Sequence, residues 1–108
     1  MVRNINAEGG RVYVYGASTR GAVLWQAAGL DVKELPYVVE RNPDKIGKVM
    51  TSIDAPIISE REMRDDPPTH LLIGPWWLRD DFIKREQEFL AAGGSMIIPL
   101  PKLEVIGS

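Results

Sequence analysis

Apolar residues in this chain fall into short unbroken runs, separated by stretches where they recur at helical spacing. Val12 to Tyr15 is a β-rich run that stops at Gly16. Thr19 to Ala28 then places Leu24, Ala27 and Ala28 on one helical face with Trp25 adjoining. Ser18 or Thr19 is its expected N-cap and Gly29 its stop. Leu35 to Val39 predicts a second strand that ends at Glu40-Arg41-Asn42, followed by a turn-rich loop over Pro43 to Lys48. Pro56-Ile57-Ile58 is a short third strand. Ser59 and Glu62 form an S-x-x-E capping box that opens a short helix, broken by Asp65 to Thr69. His70 to Ile73 is a fourth strand. Leu78 to Ala92 is the longest predicted helix, with Phe82, Phe89 and Leu90 inward and Gly93-Gly94 at its end. Ser95 to Leu100 is the fifth strand.

Strands that are apolar without strict alternation are buried on both faces, as in a parallel sheet covered by helices. Alternation of strand and helix with short loops predicts a three-layer, Rossmann-like α/β domain with a mostly parallel five-stranded sheet. Right-handed crossovers favour the order 3-2-1-4-5. In such sheets ligands bind beyond the carboxyl ends of the strands, where the strand order reverses. Three segments should meet there: Gly16–Gly21, Glu40–Lys48 and Gly74–Leu78.

Gly16-Ala17-Ser18-Thr19-Arg20-Gly21 carries the first chemical signal. A strand that turns at a glycine and opens a helix aims backbone N–H groups and the positive end of the helix dipole at one point, a recipe for holding an anion. Arg20 adds a permanent positive charge. The spacing is neither G-x-G-x-x-G nor that of a P-loop, because Gly21 is followed by Ala22. The plainer alternative is a glycine that only turns strand into helix.

Bulk properties narrow the field. A chain of 108 residues is one domain by size, large enough for a core without staples. The net charge of −2 argues against a nucleic-acid surface. With no cysteine and a single histidine, His70, disulfides, thiol catalysis, Cys-ligated metals and His-rich metal sites are excluded. No run approaches the roughly 18 apolar residues of a membrane span, and Met1 to Gly10 lacks the apolar centre of a signal peptide. The expectation is a soluble, cytoplasmic protein with no metal, nucleic-acid or membrane partner.

Glu40 lies 24 residues after Gly16, about where dinucleotide folds place an acid that accepts from a ribose hydroxyl. A solvated acid at a strand end is the alternative. Arg41, Lys45 and Lys48 make either a cationic rim for a diphosphate or an ordinary charged loop, and Asn42-Pro43 favours a turn. Gly74-Pro75-Trp76-Trp77 offers an aromatic wall for a base or sugar ring, or else a core cap or an interface. Asp80 and Asp81 suit the first turn of a helix. His70 sits at the amino side of its strand, away from the ligand edge, and Ser18 has no visible base partner. No catalytic constellation is present.

These segments together resemble the C-terminal domain of sugar C-methyltransferases. The resemblance rests on Tyr15-Gly16-Ala17-Ser18-Thr19-Arg20-Gly21, on Glu40-Arg41-Asn42-Pro43-Asp44-Lys45-Ile46-Gly47-Lys48, on Pro56-Ile57, on Pro75-Trp76 and on a late Gly-Gly before Ile-Pro-Leu-Pro. It runs from about Gly10 to Glu104. The family implies a Rossmann-like fold and a role in holding a nucleotide-linked deoxysugar. Zinc and S-adenosylmethionine would then be bound by other parts of the enzyme. This domain itself would carry no cofactor and would work with an S-adenosylmethionine-binding domain in cis or in trans. The implied substrate-binding residues are Gly16, Ser18, Thr19, Arg20, Gly21, Glu40, Arg41, Asn42, Lys45, Pro75 and Trp76. The chain departs from the family pattern at Glu40, where Asp is common, at Ala22 and Trp77, where Asn is frequent, and at Thr51-Ser52-Ile53, which replaces a Pro-Gly-Thr turn. A reading from another class is a small regulatory or scaffolding domain. It would bind another nucleotide, such as NAD or coenzyme A, or no small ligand at all, and Trp76-Trp77 would then serve a protein interface.

Overall fold

The computed structural model describes residues 1–107. In chain order, the elements are α1 (Val2–Ala7), β1 (Val12–Tyr15), α2 (Thr19–Ala27), β2 (Val38–Glu40), β3 (Val49–Met50), β4 (Ala55–Ser59), α3 (Glu60–Asp65), β5 (His70–Ile73), a 3-10 turn (Trp76–Leu78), α4 (Arg79–Arg85), α5 (Gln87–Ala91), β6 (Ser95–Ile98) and β7 (Glu104–Gly107).

One sheet runs through the molecule in the order β3-β4-β2-β1-β5-β6-β7. Its middle five strands are the five expected from sequence, in the expected order, and all pair in parallel. The expectation of a five-stranded sheet needs correction. The sheet has seven strands, because β3 and β7 add antiparallel edges to β4 and β6. Neither edge strand shows the continuous apolar run that marks a buried strand, since each pairs on one side only.

The unbroken apolar runs are split by the pleat. Val12, Val14, Val38, Leu72 and Ile97 face α2 and Trp25. Tyr13, Tyr15, Val39, Leu71, Ile73, Met96 and Ile98 face Met63, Phe82 and Phe89 on the other side. Each strand therefore has two buried faces, as a central parallel strand must.

Local signals act where expected. Ser18 caps α2, its Oγ accepting from Gly21 N–H at 3.1 Å, and Gly29 takes φ +74° just beyond the helix end. The capping box is complete: Glu62 N–H donates to Ser59 Oγ, and Ser59 N–H donates to Glu62 Oε1. Three boundaries differ. Leu35 is fully buried but closes a turn, its N–H donating to the Asp31 carbonyl, and β2 starts only at Val38. The fifth predicted strand ends at Ile98, before the cis Leu100–Pro101 peptide. The long predicted helix is two, α4 and α5, broken at Glu86 with φ −104° and ψ 31°.

Candidate functional site

The three segments predicted to meet at the carboxyl ends of the strands do meet. Gly16, at φ +92°, turns the chain out of β1 against the Pro75 ring, where a Cβ would stand 2.5 Å from Pro75 Cδ. Gly21 packs against Gly74, where its Cβ would lie 3.1 Å from Gly74 Cα. The loop after β1 is thus pressed onto the loop after β5.

The segment after β2 clasps the same loop from the other side. Glu40 Oε1 accepts from Ala17 N–H at 2.9 Å. Its Oε2 accepts from the N–H groups of Arg41 and Asn42, at 3.0 and 2.9 Å. Lys45 Nζ donates to the Ala17 carbonyl at 2.9 Å. Asn42 Oδ1 accepts from Asp44 N–H, an Asx turn that brings Lys45 round. One residue, Ala17, is held at both its N–H and its C=O by the Glu40–Lys45 segment. Lys48 is not part of this clasp. It lies beside β4, where its carbonyl accepts from Ile57 N–H.

Arg20 reaches across the crevice between the first and third segments. Its guanidinium carbon stands 5.1 Å from the ring centroid of Trp77, a cation–π contact. Trp77 in turn meets Trp76 edge to face at 5.3 Å. Trp76 packs partly into the core, whereas Trp77 is 49% exposed. Ser18, Thr19, Arg20 and Trp77 line an open cleft of about 330 Å³ on the α2 side of the sheet.

A second, narrower cleft of about 210 Å³ opens on the α4 side. Tyr15 and Phe82 line it, with Arg41 and Arg85. Arg85 lies over the Phe82 ring at 4.8 Å and over the Tyr15 ring at 6.0 Å. Beneath it sits Glu86, 1% exposed. The Glu86 carboxylate receives both Arg64 Nη1 and Nη2, at 2.6 and 2.8 Å, and the Tyr15 hydroxyl at 2.9 Å. Burial, and then the Glu86 charge, push the Tyr15 hydroxyl far above the usual phenol range. The bond to Glu86 raises the Arg64 guanidinium further still. The sequence reading missed this network. Its signal was present, because Glu86 sits four residues from both Phe82 and Leu90, on the stripe that faces the core.

His70 lies at the opposite, amino edge, half-buried, its Nδ1 2.8 Å from Thr69 Oγ1, and burial lowers its pKa. Asp80 pairs with Arg79 at 2.7 Å in the first turn of α4. Among the described residues no cluster of three His, Asp or Glu side chains is placed to hold a metal ion, and no helix is long and apolar enough to cross a membrane.

The model of the C-methyltransferase C-terminal domain matches residues 1–101. The chain belongs to that family. It is also similar to C-methyltransferase NovU of Streptomyces niveus, with 33% identity over all 108 residues. It spans about a quarter, 26%, of the length of that relative. Two of the segments singled out in sequence, Gly16–Gly21 and the Glu40–Lys45 part of Glu40–Lys48, are the two halves of the clasp around Ala17.

Proposed function

We propose that this C-methyltransferase C-terminal domain holds the nucleotide-linked sugar that is to be methylated. The methyl donor, S-adenosylmethionine, would be bound by another domain, in the same chain or on a partner. The observation that carries this reading is the crevice at the strand ends, where Arg20 lies on Trp77 beside Ser18 and Thr19. Arg20 offers a permanent charge and a fork of N–H donors suited to phosphate oxygens, and the half-exposed Trp77 offers a flat face for a base or sugar ring. Gly16 and Gly21 let the loop approach closely enough to frame that crevice. Pro75 braces the loop at Gly16, and Trp76 supports Trp77 edge to face. Glu40 already accepts three backbone N–H groups, and a carboxylate has about four acceptor sites, so one remains for a sugar hydroxyl. Asn42 and Lys45 stand on the segment that clasps this loop, Lys45 spending one of its three N–H donors on Ala17, while Arg41 lines the cleft on the α4 side. Carbon methylation also needs a base at the reacting carbon. No residue here is assigned that role, which falls to the remainder of the enzyme.

The test is a titration of the domain with a thymidine diphosphate sugar and a uridine diphosphate sugar, read by tryptophan fluorescence and thermal shift. Ligand at about 100 times its Kd stabilises the fold by roughly 2.7 kcal/mol. Arg20→Ala and Trp77→Ala are each expected to weaken binding at least tenfold. Unchanged affinity in both refutes the site, and a response to NAD or coenzyme A in place of either sugar refutes the ligand.

A further inference from the structure

A buried charged network close to a cleft needs a reason, because a buried ion pair adds little net stability over well-packed apolar groups. Glu86 is such a case. It is the one buried acid among the described residues, and it interrupts what would otherwise be a continuous helix. Its carboxylate fixes the Tyr15 hydroxyl on one side and Arg64 on the other. The break falls directly after Arg85, and it is Arg85 that lies over Tyr15 and Phe82 at the mouth of the α4-side cleft.

We propose that this cleft is a phosphoryl-binding site in which Arg85 and Arg41 hold the anion above the Tyr15–Phe82 floor, with Glu86 and Arg64 positioning Arg85 from below. Four observations support it. Arg41 and Arg85 both line one cavity of about 210 Å³ at the ends of β1 and β2. Among the described residues no carboxylate pairs with Arg85, so its charge is held on aromatic faces and remains available. Arg41 is held by Glu60 through Nε at 3.1 Å, which leaves its two amino groups. Glu40 also lines the cavity, but both its oxygens are turned onto backbone N–H groups of Ala17, Arg41 and Asn42. Paired arginine forks at fixed positions match the oxygens of a phosphate or diphosphate. The Arg20–Trp77 cleft belongs to the α2 side of the sheet and the Arg85 cleft to the α4 side, separated by the Gly16–Pro75 contact. This second site does not depend on the substrate assigned to the first.

The probe is inorganic pyrophosphate, with the Arg Nε–H resonances followed by NMR and Kd measured by calorimetry. Shifts at Arg85 and Arg41 are expected in the unaltered protein. Arg85→Met should weaken pyrophosphate about tenfold or more, as expected for loss of a bidentate charge-assisted contact. Lys84→Met, which removes the same charge one residue away, should leave binding within a factor of two. No binding by the unaltered protein, silence at Arg85, or equal losses in the two variants overturns the proposal. So does a loss caused by Arg20→Met instead, which would put the anion in the other cleft. If Arg85→Met does not fold, the resonance shifts decide alone. A parallel titration with thymidine diphosphate glucose separates the two sources of phosphoryl group. Weakening by Arg85→Met of both ligands assigns the cleft to the diphosphate of the nucleotide-sugar, and weakening of pyrophosphate alone assigns it to a free phosphate.

Discussion

Gly74 has no room for a side chain, because a Cβ there would run into the carbonyl oxygen of Gly16. Gly16 combines a left-handed φ of +92° with the Pro75 ring 2.5 Å from where its Cβ would stand. Gly21 is less constrained, its nearest obstacles being Ser18 Oγ at 2.9 Å and Gly74 Cα at 3.1 Å. Alanine at Gly74 has to drive two loop backbones apart, and alanine at Gly16 has to hold a left-handed φ and displace the Pro75 ring, whereas alanine at Gly21 asks for a smaller shift. Overpacking of this kind costs about 1–3 kcal/mol. Thermal unfolding should rank Gly74→Ala and Gly16→Ala as clearly more damaging than Gly21→Ala. Equal melting temperatures for the three would show that the loops are not in hard contact. Gly16 and Gly21 were legible in sequence as a turn, and the meeting of the segments was legible from topology. The atoms that satisfy Glu40 were not, since backbone N–H groups leave no mark on residue type. An acid placed by spacing alone looks free to meet a ligand, yet it accepts three main-chain donors of its own protein.

Among the elements, the helix broken at Glu86 departs furthest from its sequence pattern. Apolar periodicity runs through residues 82, 89 and 90 without interruption, so it predicts one helix. Tertiary pairing of the one polar residue on that stripe overrides it. At the break Gln87 Nε2 donates to the Ile83 carbonyl at 2.7 Å, bridging the two helices. Removing Arg64 leaves the Glu86 carboxylate buried with only the Tyr15 hydroxyl. Cutting a fully buried pair costs about 3–5 kcal/mol. Arg64 is 43% exposed on its side chain, so a loss of about 2 kcal/mol or more is expected for Arg64→Met, or roughly 10 °C in Tm for a domain of this size. Arg64→Met combined with Glu86→Leu should recover much of it, and a double variant as unstable as the sum of the singles would refute coupling. Tyr15 adds a pH signature. Its folded pKa is raised above the unfolded value of about 10. The stability tied to its proton is therefore complete below pH 10 and is lost as pH rises from there towards the folded value. Denaturant titrations between pH 9 and 11.5 should show a fall that Tyr15→Phe flattens. An identical slope in that variant would assign the alkaline loss elsewhere.

For the molecule as a whole, the parallel centre of the sheet could be read from sequence because buried strands are apolar throughout and their connections obey one hand. The edges could not. β7 presents Val105 outward and ends in Gly107 at φ +105°, a pattern that resembles loop. Yet β7 has a task set by its neighbour. All four residues of β6 are buried, and β7 pairs with each of them, from Ser95 opposite Gly107 to Ile98 opposite Glu104. Arg79 ties it to α4 through a two-pronged pair with Glu104, at 2.9 and 3.0 Å. Truncation after Pro101 would turn β6 into an open, apolar edge, which is a template for pairing between copies. Such a chain is expected to unfold at lower temperature and to associate in sizing at concentrations where the full chain does not. Glu104→Gln removes only a half-exposed ion pair, worth about 1 kcal/mol or less, and should do neither to a comparable degree. If the truncated chain matched the full one in both melting and elution, β7 would be dispensable to the sheet, and any protection of β6 would have to come from residues 99–101, which remain after it.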